Sequence, residues 1–162
     1  MEAISVANYF LEKSFETGTE VTPMKLLKLV YIAHGWHLAM HNGEPLINEA
    51  VQAWKYGPVI ESIYHQFKQY SNQQITKQAT VFNDDWQYIT PNVEDVDKRE
   101  FLDEVWVAYS KFNGLQLSTL THQKDTPWDK IWNQQGGKKG NGAIIPNELI
   151  EAHYKEKMNA AK

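Results

Sequence analysis

Three histidines in one segment of the chain could bind a metal ion. His34, His37 and His41 are three and four residues apart, so on a helix they fall within a narrow arc. Zinc needs three or four converging ligands with supporting hydrogen-bond partners, and this segment has no carboxylate between its histidines while the chain has no Cys. His34 also shares its side of the helix with Leu27 and Tyr31. We therefore favour a hydrogen-bonded histidine of the core or of an interface, and we predict no metal site.

A second set of polar residues could support acid–base catalysis. His122 is close in sequence to Ser118, Asp125 and Asp129, which are the side-chain types of a hydrolase triad. The chain has no Gly-x-Ser-x-Gly segment, which would present a serine nucleophile at a sharp turn. The start of a helix at Pro127 explains the same spacing, because a carboxylate there can accept the free amide groups of the first turn. We predict that Asp125 or Asp129 caps this helix and that the protein is not an enzyme.

The segment over 136–142 is rich in glycine and lysine and could bind a phosphate group. In a phosphate-binding loop a strand precedes the glycines and Ser or Thr follows the lysine, whereas here Lys139 follows Lys138. We therefore predict a mobile connecting loop over 136–142 and no bound cofactor.

The charge of the chain does not favour nucleic acid or anionic lipid as a partner. The formal net charge is −4, and basic residues concentrate only at Lys138-Lys139 and near the C-terminus. Proteins that bind nucleic acid carry a basic stripe or patch that neutralises phosphates. Nucleic acid is therefore an unexpected partner, and no membrane association is predicted.

Size and composition favour a single domain. The chain has 162 residues, of which 42% are hydrophobic, and this is enough for one core without disulfides or metal. The absence of Cys favours a reducing compartment. Neither a signal peptide nor a membrane-spanning segment is recognisable, so we predict a cytoplasmic protein.

The apolar pattern of the first quarter of the chain predicts two helices. The first covers 4–16, and the second begins at Thr22-Pro23, where a hydroxyl can cap and proline costs no hydrogen bond, and ends near Asn42-Gly43. The second helix is apolar on two opposite sides, formed by Leu27, Val30, Tyr31 and Leu38 and by Leu29, Ile32, Trp36 and Met40. We therefore predict that it is buried at the centre of the fold.

The next part of the chain predicts a small β element. A strand is expected over 49–56, and Gly57-Pro58 is expected to end it and to start a helix over 58–70 in one step. A short hairpin is predicted from the β-prone pieces over 80–82 and 86–89.

Helices are predicted for most of the remainder. Asp97 with Glu100 resembles a capping box for a helix that Asn113-Gly114 ends. Further helices are expected over 115–122, from Thr126-Pro127 and from about Pro146, and a polar tail over 156–162. The predicted fold is mainly α: a compact single-domain helical bundle over 1–155, around a central buried helix, with a small β-strand and hairpin element.

Three sequence blocks, in order, resemble the Panacea antitoxin domain family, in its SocA-like or phage-associated GepA group. The first block covers 22–36 and is similar to the family's Lys-Leu-x-Lys-Leu-x-Tyr-x-Ala-x-Gly-Trp helix. The second is Ala-Trp-Lys-Tyr-Gly-Pro-Val over 53–59 with Tyr64 downstream, and the third is Leu-Ser-Thr-Leu-Thr-His over 117–122 with Pro127-Trp128 after it. Three ordered blocks make the resemblance specific.

The resemblance implies an antitoxin that binds a toxin encoded beside it and blocks the toxin by direct contact. It also implies no enzymatic activity, and it leaves open delivery of the toxin to a protease. Some relatives carry an added DNA-binding domain, for which this chain has no room, so repression of its own operon is not expected. A solitary domain on a prophage or mobile element, without a surviving toxin, is the other form that the resemblance allows.

Aromatic residues at the junctions between elements are the candidates for partner binding. Partly exposed Trp and Tyr often anchor protein interfaces, and such residues occur at the predicted junctions and on short elements. The predicted partner-binding residues are Trp54, Tyr56, Tyr64, His122, Trp128 and Trp132. The alternative for each aromatic is a second small core that holds the junctions together.

A small nucleic-acid-binding regulator of phage or mobile-element origin is the alternative function. In that interpretation, the helices that begin at Thr22 and Pro58 would form a helix-turn-helix pair. The acidic balance of the chain argues against this alternative.

Overall fold

The chain forms a helical bundle with two small antiparallel sheets, seen in a computed structural model that describes residues 1–137, 140 and 142–161. Within these ranges the helices are α1 (Ala3–Thr17), α2 (Pro23–Met40), α3 (Glu61–Phe67), α4 (Val96–Tyr109), α5 (Gly114–Thr121), α6 (Pro127–Asp129) and α7 (Asn147–Ala160). A 3₁₀ turn (Lys68–Tyr70) extends α3, and a π-helical turn (Lys130–Gln134) extends α6. The strands are β1 (Val51–Trp54), β2 (Gly57–Val59), β3 (Val81–Phe82), β4 (Tyr88–Ile89) and β5 (Ala143–Ile145). The mainly α prediction is therefore confirmed.

Helix α2 lies at the centre of the bundle, as predicted. It packs against α1, α4, α5 and α7, and almost all of its residues are buried. The side chain of Thr22 accepts a hydrogen bond from the Lys25 amide and caps the helix, and Pro23 occupies its first turn. The prediction fails at Met40, which is half-exposed because the helix ends there and passes into a turn.

Gly35 brings α2 and α7 into close approach. A Cβ atom at this position would lie 2.2 Å from Cε2 of Tyr154, a distance that no side chain can occupy. Tyr154 in turn packs edge-on against Trp36, with their ring centroids 5.2 Å apart. A glycine at this point of α2 therefore sets how closely the last helix approaches the central helix.

The β1–β2 junction differs from its prediction. Gly57-Pro58 does not start a helix; it forms part of strand β2, which pairs antiparallel with β1 in the register Trp54↔Gly57. The two strands form a tight hairpin with Lys55 and Tyr56 at the turn, where Gly57 adopts a φ of 120°. Such a φ strongly favours glycine, so this residue reverses the chain, and α3 begins only at Glu61.

Strand β5 completes the first sheet, in the order β2-β1-β5, and was not predicted. It pairs antiparallel with β1, with Ala53 opposite Ala143. The predicted mobile loop over 136–142 precedes this strand, and its residues Lys138, Lys139 and Asn141 lie outside the described residues, as does Lys162 of the predicted tail.

Two capping predictions are corrected by the structure. Helix α4 starts earlier than expected, because Asp95 rather than Asp97 accepts the amide of Lys98 and caps it. Asn113 does not end that helix; it opens α5 through a capping box with Gln116. An Asn-Gly pair can mark either the end or the start of a helix. Here the capping-box hydrogen bonds between Asn113 and Gln116 show that it starts α5.

The predicted second hairpin is confirmed and is held at both ends by one buried side chain. Strands β3 and β4 pair with Val81 opposite Ile89. The Asn8 side chain of α1 donates to the carbonyl groups of Ala79 (2.9 Å) and Pro91 (2.7 Å) and accepts the amide of Ala79 (2.7 Å). This hairpin therefore projects from a fixed base.

No helix in the described ranges is long and apolar enough to cross a membrane.

Candidate protein-binding groove

An open groove between α2 and the β1–β2 hairpin brings three of the predicted partner-binding residues together. It encloses about 510 Å³. Its walls are Pro23, Met24, Leu27 and Lys28 of α2, Trp54, Lys55, Tyr56 and Val59 of the hairpin, and Tyr64, Lys68 and Ser71 beyond it. We call this site the aromatic groove. Its size is that of a pocket for one or a few side chains.

Trp54 is held in a fixed position at the edge of the aromatic groove. Its indole N–H donates to Oε1 of Gln52 at 2.8 Å, and its backbone carbonyl accepts the indole N–H of Trp128 at 2.6 Å. The ring packs edge-on against Tyr64, with their centroids 4.8 Å apart. This side chain therefore loses little conformational entropy when a partner binds.

Tyr56 stands at the tip of the hairpin and is 65% exposed. Its backbone carbonyl accepts the hydroxyl of Ser118 at 3.0 Å, which ties the turn to α5. The ammonium group of Lys55 lies 5.4 Å from the centre of the Tyr56 ring. A rigid backbone thus presents a large exposed aromatic side chain beside a positive charge.

Lys28 forms the floor of the aromatic groove and was not among the predicted residues. The side chain is buried, and its Nζ donates to the carbonyl of Pro58 at 2.8 Å. Burial lowers the pKa of this ammonium group to about 7. Lys25, one turn earlier, is also buried and donates to the Ser110 carbonyl at 2.6 Å.

The sequence did carry a signal for these two lysines. On the helical wheel of α2 they fall inside or beside the apolar arcs, and a helix that is apolar on two sides leaves no solvated face for them. Lysines in that position must bury their ammonium groups against an acceptor.

The other three predicted residues do not line the aromatic groove, and Trp132 instead lines a neighbouring pocket that also includes Trp54 and Lys55. Trp128 is buried, stacks on Trp132 with centroids 5.8 Å apart, and contacts the ring of His122 edge-on at 5.4 Å. Trp132 and His122 are partly exposed. Trp128 therefore matches the alternative of a second small core, because its indole supports the backbone of Trp54.

In the predicted acid–base set, Asp129 is engaged in hydrogen bonds that hold the local backbone and side chains. Asp129 accepts hydrogen bonds from Nδ2 of Asn133 (2.7 Å), the amide of Asp125 (2.8 Å) and Nε2 of Gln134 (3.0 Å). The bond from Asn133 and then that from the Asp125 amide lower the pKa of the Asp129 carboxyl. The capping residue differs from the prediction, because the side chain of Thr126, and not that of Asp125 or Asp129, accepts a first-turn amide of α6. Asp129 lies in the first turn and holds the residues before the helix by accepting the Asp125 amide.

His34 and His37 of α2, and His41 directly after its end, each have hydrogen-bond partners. His34 is buried, shares a hydrogen bond with Oδ1 of Asn147 at 3.0 Å and accepts the Ile47 amide at 3.4 Å, which confirms a hydrogen-bonded core histidine. His37 stacks on His41 and bonds to the Glu44 carbonyl at 2.7 Å. Burial lowers the pKa of both His34 and His37. Where the chain is described, no group of three or more His, Cys, Asp or Glu could hold a metal ion.

The predicted helix-turn-helix pair does not form. Helix α2 ends at Met40 and α3 begins at Glu61, with the β1–β2 hairpin between them. A helix-turn-helix needs a turn of about three or four residues and an exposed recognition helix. Helix α2 is enclosed by other helices, so it presents no such face.

A second group of aromatics, on the β3–β4 hairpin, was missed as a candidate surface. Phe82, Trp86 and Tyr88 are exposed, Trp86 by 82%, and Phe82 lies 5.7 Å from Trp86 and 5.1 Å from Tyr88 between ring centroids. We call these three residues the hairpin cluster. Their sequence signal was a run of aromatics in a polar segment with no helical period to bury them.

Comparisons with known proteins place the chain among antitoxins. The model of a family described as antitoxin SocA-like, Panacea domain, matches residues 26–129. The chain is 29% identical to Antitoxin SocA of Caulobacter vibrioides (strain NA1000 / CB15N) over 157 residues, which cover 96% of this chain and 83% of that protein. No solved structure matches the chain significantly. The region matched by the family model contains the whole aromatic groove apart from Pro23 and Met24.

Proposed function

The chain belongs to the antitoxin SocA-like, Panacea domain family, and on this premise we propose that it neutralises a cognate protein toxin by binding it directly through the aromatic groove. An antitoxin family indicates a non-enzymatic role, in which the protein acts by contact with its target. The toxin is expected to be encoded beside it. The observation that carries the choice of surface is the convergence of Trp54, Tyr56 and Tyr64 on one groove.

The groove has the composition of an interface hot spot. Trp and Tyr dominate the binding energy of many interfaces, especially where a rigid backbone presents them around an apolar floor. Here Trp54 is fixed by hydrogen bonds on both its indole and its carbonyl, and Met24, Leu27 and Val59 supply apolar area next to it. The groove can therefore accept a side chain of the toxin with little rearrangement.

Growth rescue tests the proposal. The neighbouring gene is expressed from an inducible promoter in cells that also express this chain, and rescue of growth from its toxicity is expected. Tyr56→Ser should abolish or strongly reduce rescue, because it removes a 65% exposed aromatic anchor while leaving the backbone bonds of the turn intact. Tyr88→Ser is the matched control, since Tyr88 is also strongly exposed, at 77%, but lies on the β3–β4 hairpin.

Purified proteins separate direct binding from other routes to rescue. Wild type is expected to form a stable complex with the toxin in size-exclusion chromatography, and Tyr56→Ser is expected to lose it while keeping its thermal unfolding midpoint. Neutralisation by binding alone leaves the level of toxin in rescued cells unchanged. A fall in that level that depends on a host protease would instead support an adaptor role. Failure of wild type to rescue growth would overturn the proposal.

A further inference from the structure

A buried lysine, Lys28, lies at the floor of the aromatic groove. The Lys28 side chain is only 3% exposed, and its ammonium group has one hydrogen-bond acceptor among the described residues, the carbonyl of Pro58. An ammonium group has three N–H donors. A buried cation without a counter-ion is costly to a folded protein.

The walls of the groove repeat the same charge. Lys55 and Lys68 line it together with Lys28, whereas no Asp or Glu is among its lining residues. None of these three lysines takes part in an ion pair within the described ranges. The chain as a whole is acidic, with a net charge of −4, so the groove is a local positive site in a protein of opposite sign.

The remaining walls are aromatic or aliphatic apart from Ser71, so the site combines positive charge with apolar surface. Trp54, Tyr64 and Leu27 can enclose a large apolar side chain, and Lys28 lines the same groove with its ammonium group at the Pro58 carbonyl. We propose that the aromatic groove recognises a protein segment in which an acidic residue stands next to a large apolar residue, and that the acidic carboxylate pairs with Lys28. This inference rests on the proposed function, since the segment is one presented by the toxin.

A purely structural role for Lys28 is the competing interpretation. In that role the ammonium group only holds the Pro58 carbonyl and so fixes the hairpin, as Lys25 holds the Ser110 carbonyl. The two roles differ in their consequence for ligands. A structural lysine gives the groove no preference between a carboxylate and an amide, whereas a recognition lysine gives a strong one.

A matched pair of peptides tests this preference. N-acetyl-Asp-Phe-amide and N-acetyl-Asn-Phe-amide differ only in the carboxylate, and each is titrated onto ¹⁵N-labelled protein while the indole N–H signal of Trp54 is followed. The Asp peptide is expected to shift this signal with a Kd at least tenfold lower than that of the Asn peptide. Equal binding of the two peptides, or no shift with either, would overturn the inference without need of any variant.

Two variants test whether Lys28 is the source of the preference for the Asp peptide. Lys28→Met should abolish the difference between the peptides, while Lys25→Met, which removes the other buried lysine of α2 outside the groove, should keep it. Retention of the preference in a folded Lys28→Met protein would show that Lys28 does not bind the carboxylate. The amide spectrum of each variant reports whether the hairpin has kept its structure.

The outcomes separate this inference from the proposed function. If growth rescue works but the peptides bind equally, the carboxylate preference is wrong and the antitoxin role stands. If the Asp peptide is preferred but no co-encoded toxin is neutralised, the groove chemistry stands and the antitoxin role fails.

Discussion

The aromatic groove and the hairpin cluster both expose aromatic side chains, but they differ in what holds those side chains. In the groove, Trp54 lies on a central strand with β2 on one side and β5 on the other, and Trp128 supports it from behind. On the β3–β4 hairpin, Phe82, Trp86 and Tyr88 contact mainly one another, on a sheet of only two strands. The groove is also positive, whereas Asp84 and Asp85 directly precede Trp86 at the hairpin turn.

The difference shows that exposure alone is a poor guide to a binding site. Trp86 is the more exposed tryptophan, yet only its own turn orients it: Asn83 accepts the amides of Asp85 and Gln87, and Trp86 has a φ of 62°. A partner that binds such a side chain must also bear the entropy of ordering it. Trp54 has less exposed surface but a fixed position, and we expect mutations to separate the two regions accordingly.

Trp54→Ala is expected to have the largest effect. Removing a partly buried indole that packs on Tyr64 and bonds to Gln52 should lower the free energy of unfolding by about 3 kcal/mol. It should also abolish growth rescue. Trp54→Phe is the control, since it retains the packing on Tyr64, loses one hydrogen bond and should cost only about 1 kcal/mol. Urea denaturation measures the free energy of unfolding of each variant. Equal losses of stability in Trp54→Ala and Trp54→Phe would contradict the packing role assigned to the indole.

Gly57→Ala should have the next largest effect and lower the free energy of unfolding by about 2–3 kcal/mol. The φ of 120° is strained for any residue with a Cβ, and that Cβ would lie 2.8 Å from Nζ of Lys28. The ammonium group must then move, so toxin binding is expected to weaken as well. Gly18→Ala offers a comparison at a φ of 68° with no atom within 4 Å of the added Cβ. If both variants lose the same stability, backbone strain alone explains the effect and the Lys28 contact contributes nothing.

Lys28→Met should change how stability depends on pH. The pKa of Lys28 is about 7 in the folded protein and 10.5 for a free lysine, so the unfolded chain binds more protons between these values. The stability of the wild type should therefore rise with pH through this window, by about 2 kcal/mol from pH 7 to 9 relative to Lys28→Met. Trp86→Gly, which removes no titratable group, should follow the wild type. Parallel profiles for wild type and Lys28→Met would show that Lys28 titrates normally.

Trp86→Gly should have the smallest effect. Glycine relieves the positive φ but adds freedom to the unfolded chain, so the free energy of unfolding should change by less than about 1 kcal/mol. Growth rescue should be retained. Loss of rescue with unchanged stability would move the interface from the groove to the hairpin cluster and reverse the comparison.

The parts of the fold that the sequence predicted are those set by local chemistry. Helix α2 was predictable because Thr22 and Pro23 mark its start and its apolar residues recur on two faces. The β1–β2 junction was not, because Gly-Pro is a common helix start and only the pairing with β1 shows that Gly57 reverses the chain. Strand β5 depends entirely on a partner far away in sequence, and three residues carry too little pattern to be recognised.

The sequence allowed the aromatic residues of the candidate site to be predicted, but not its buried lysine. Trp54, Tyr56 and Tyr64 were chosen because they lie at junctions, and they do converge on the aromatic groove. Whether a given tryptophan faces outward or supports another could not be read from spacing, and Trp128 proved to be buried. Lys28 was missed because a lysine in a helix is usually solvated, and only the burial of both sides of α2 changes that expectation.

The pairing of Asn8 with Ala79 and Pro91 has a consequence for how this protein can vary. One amide side chain joins both ends of the β3–β4 excursion, so its base is fixed, and Val81 also packs against the core. We expect the residues of the hairpin tip, 83–87, to vary in length and composition, or to accept a foreign epitope, at little cost to the fold. The excursion contributes no residue to the lining of the aromatic groove, so a reporter could be displayed from its tip without altering the proposed binding site.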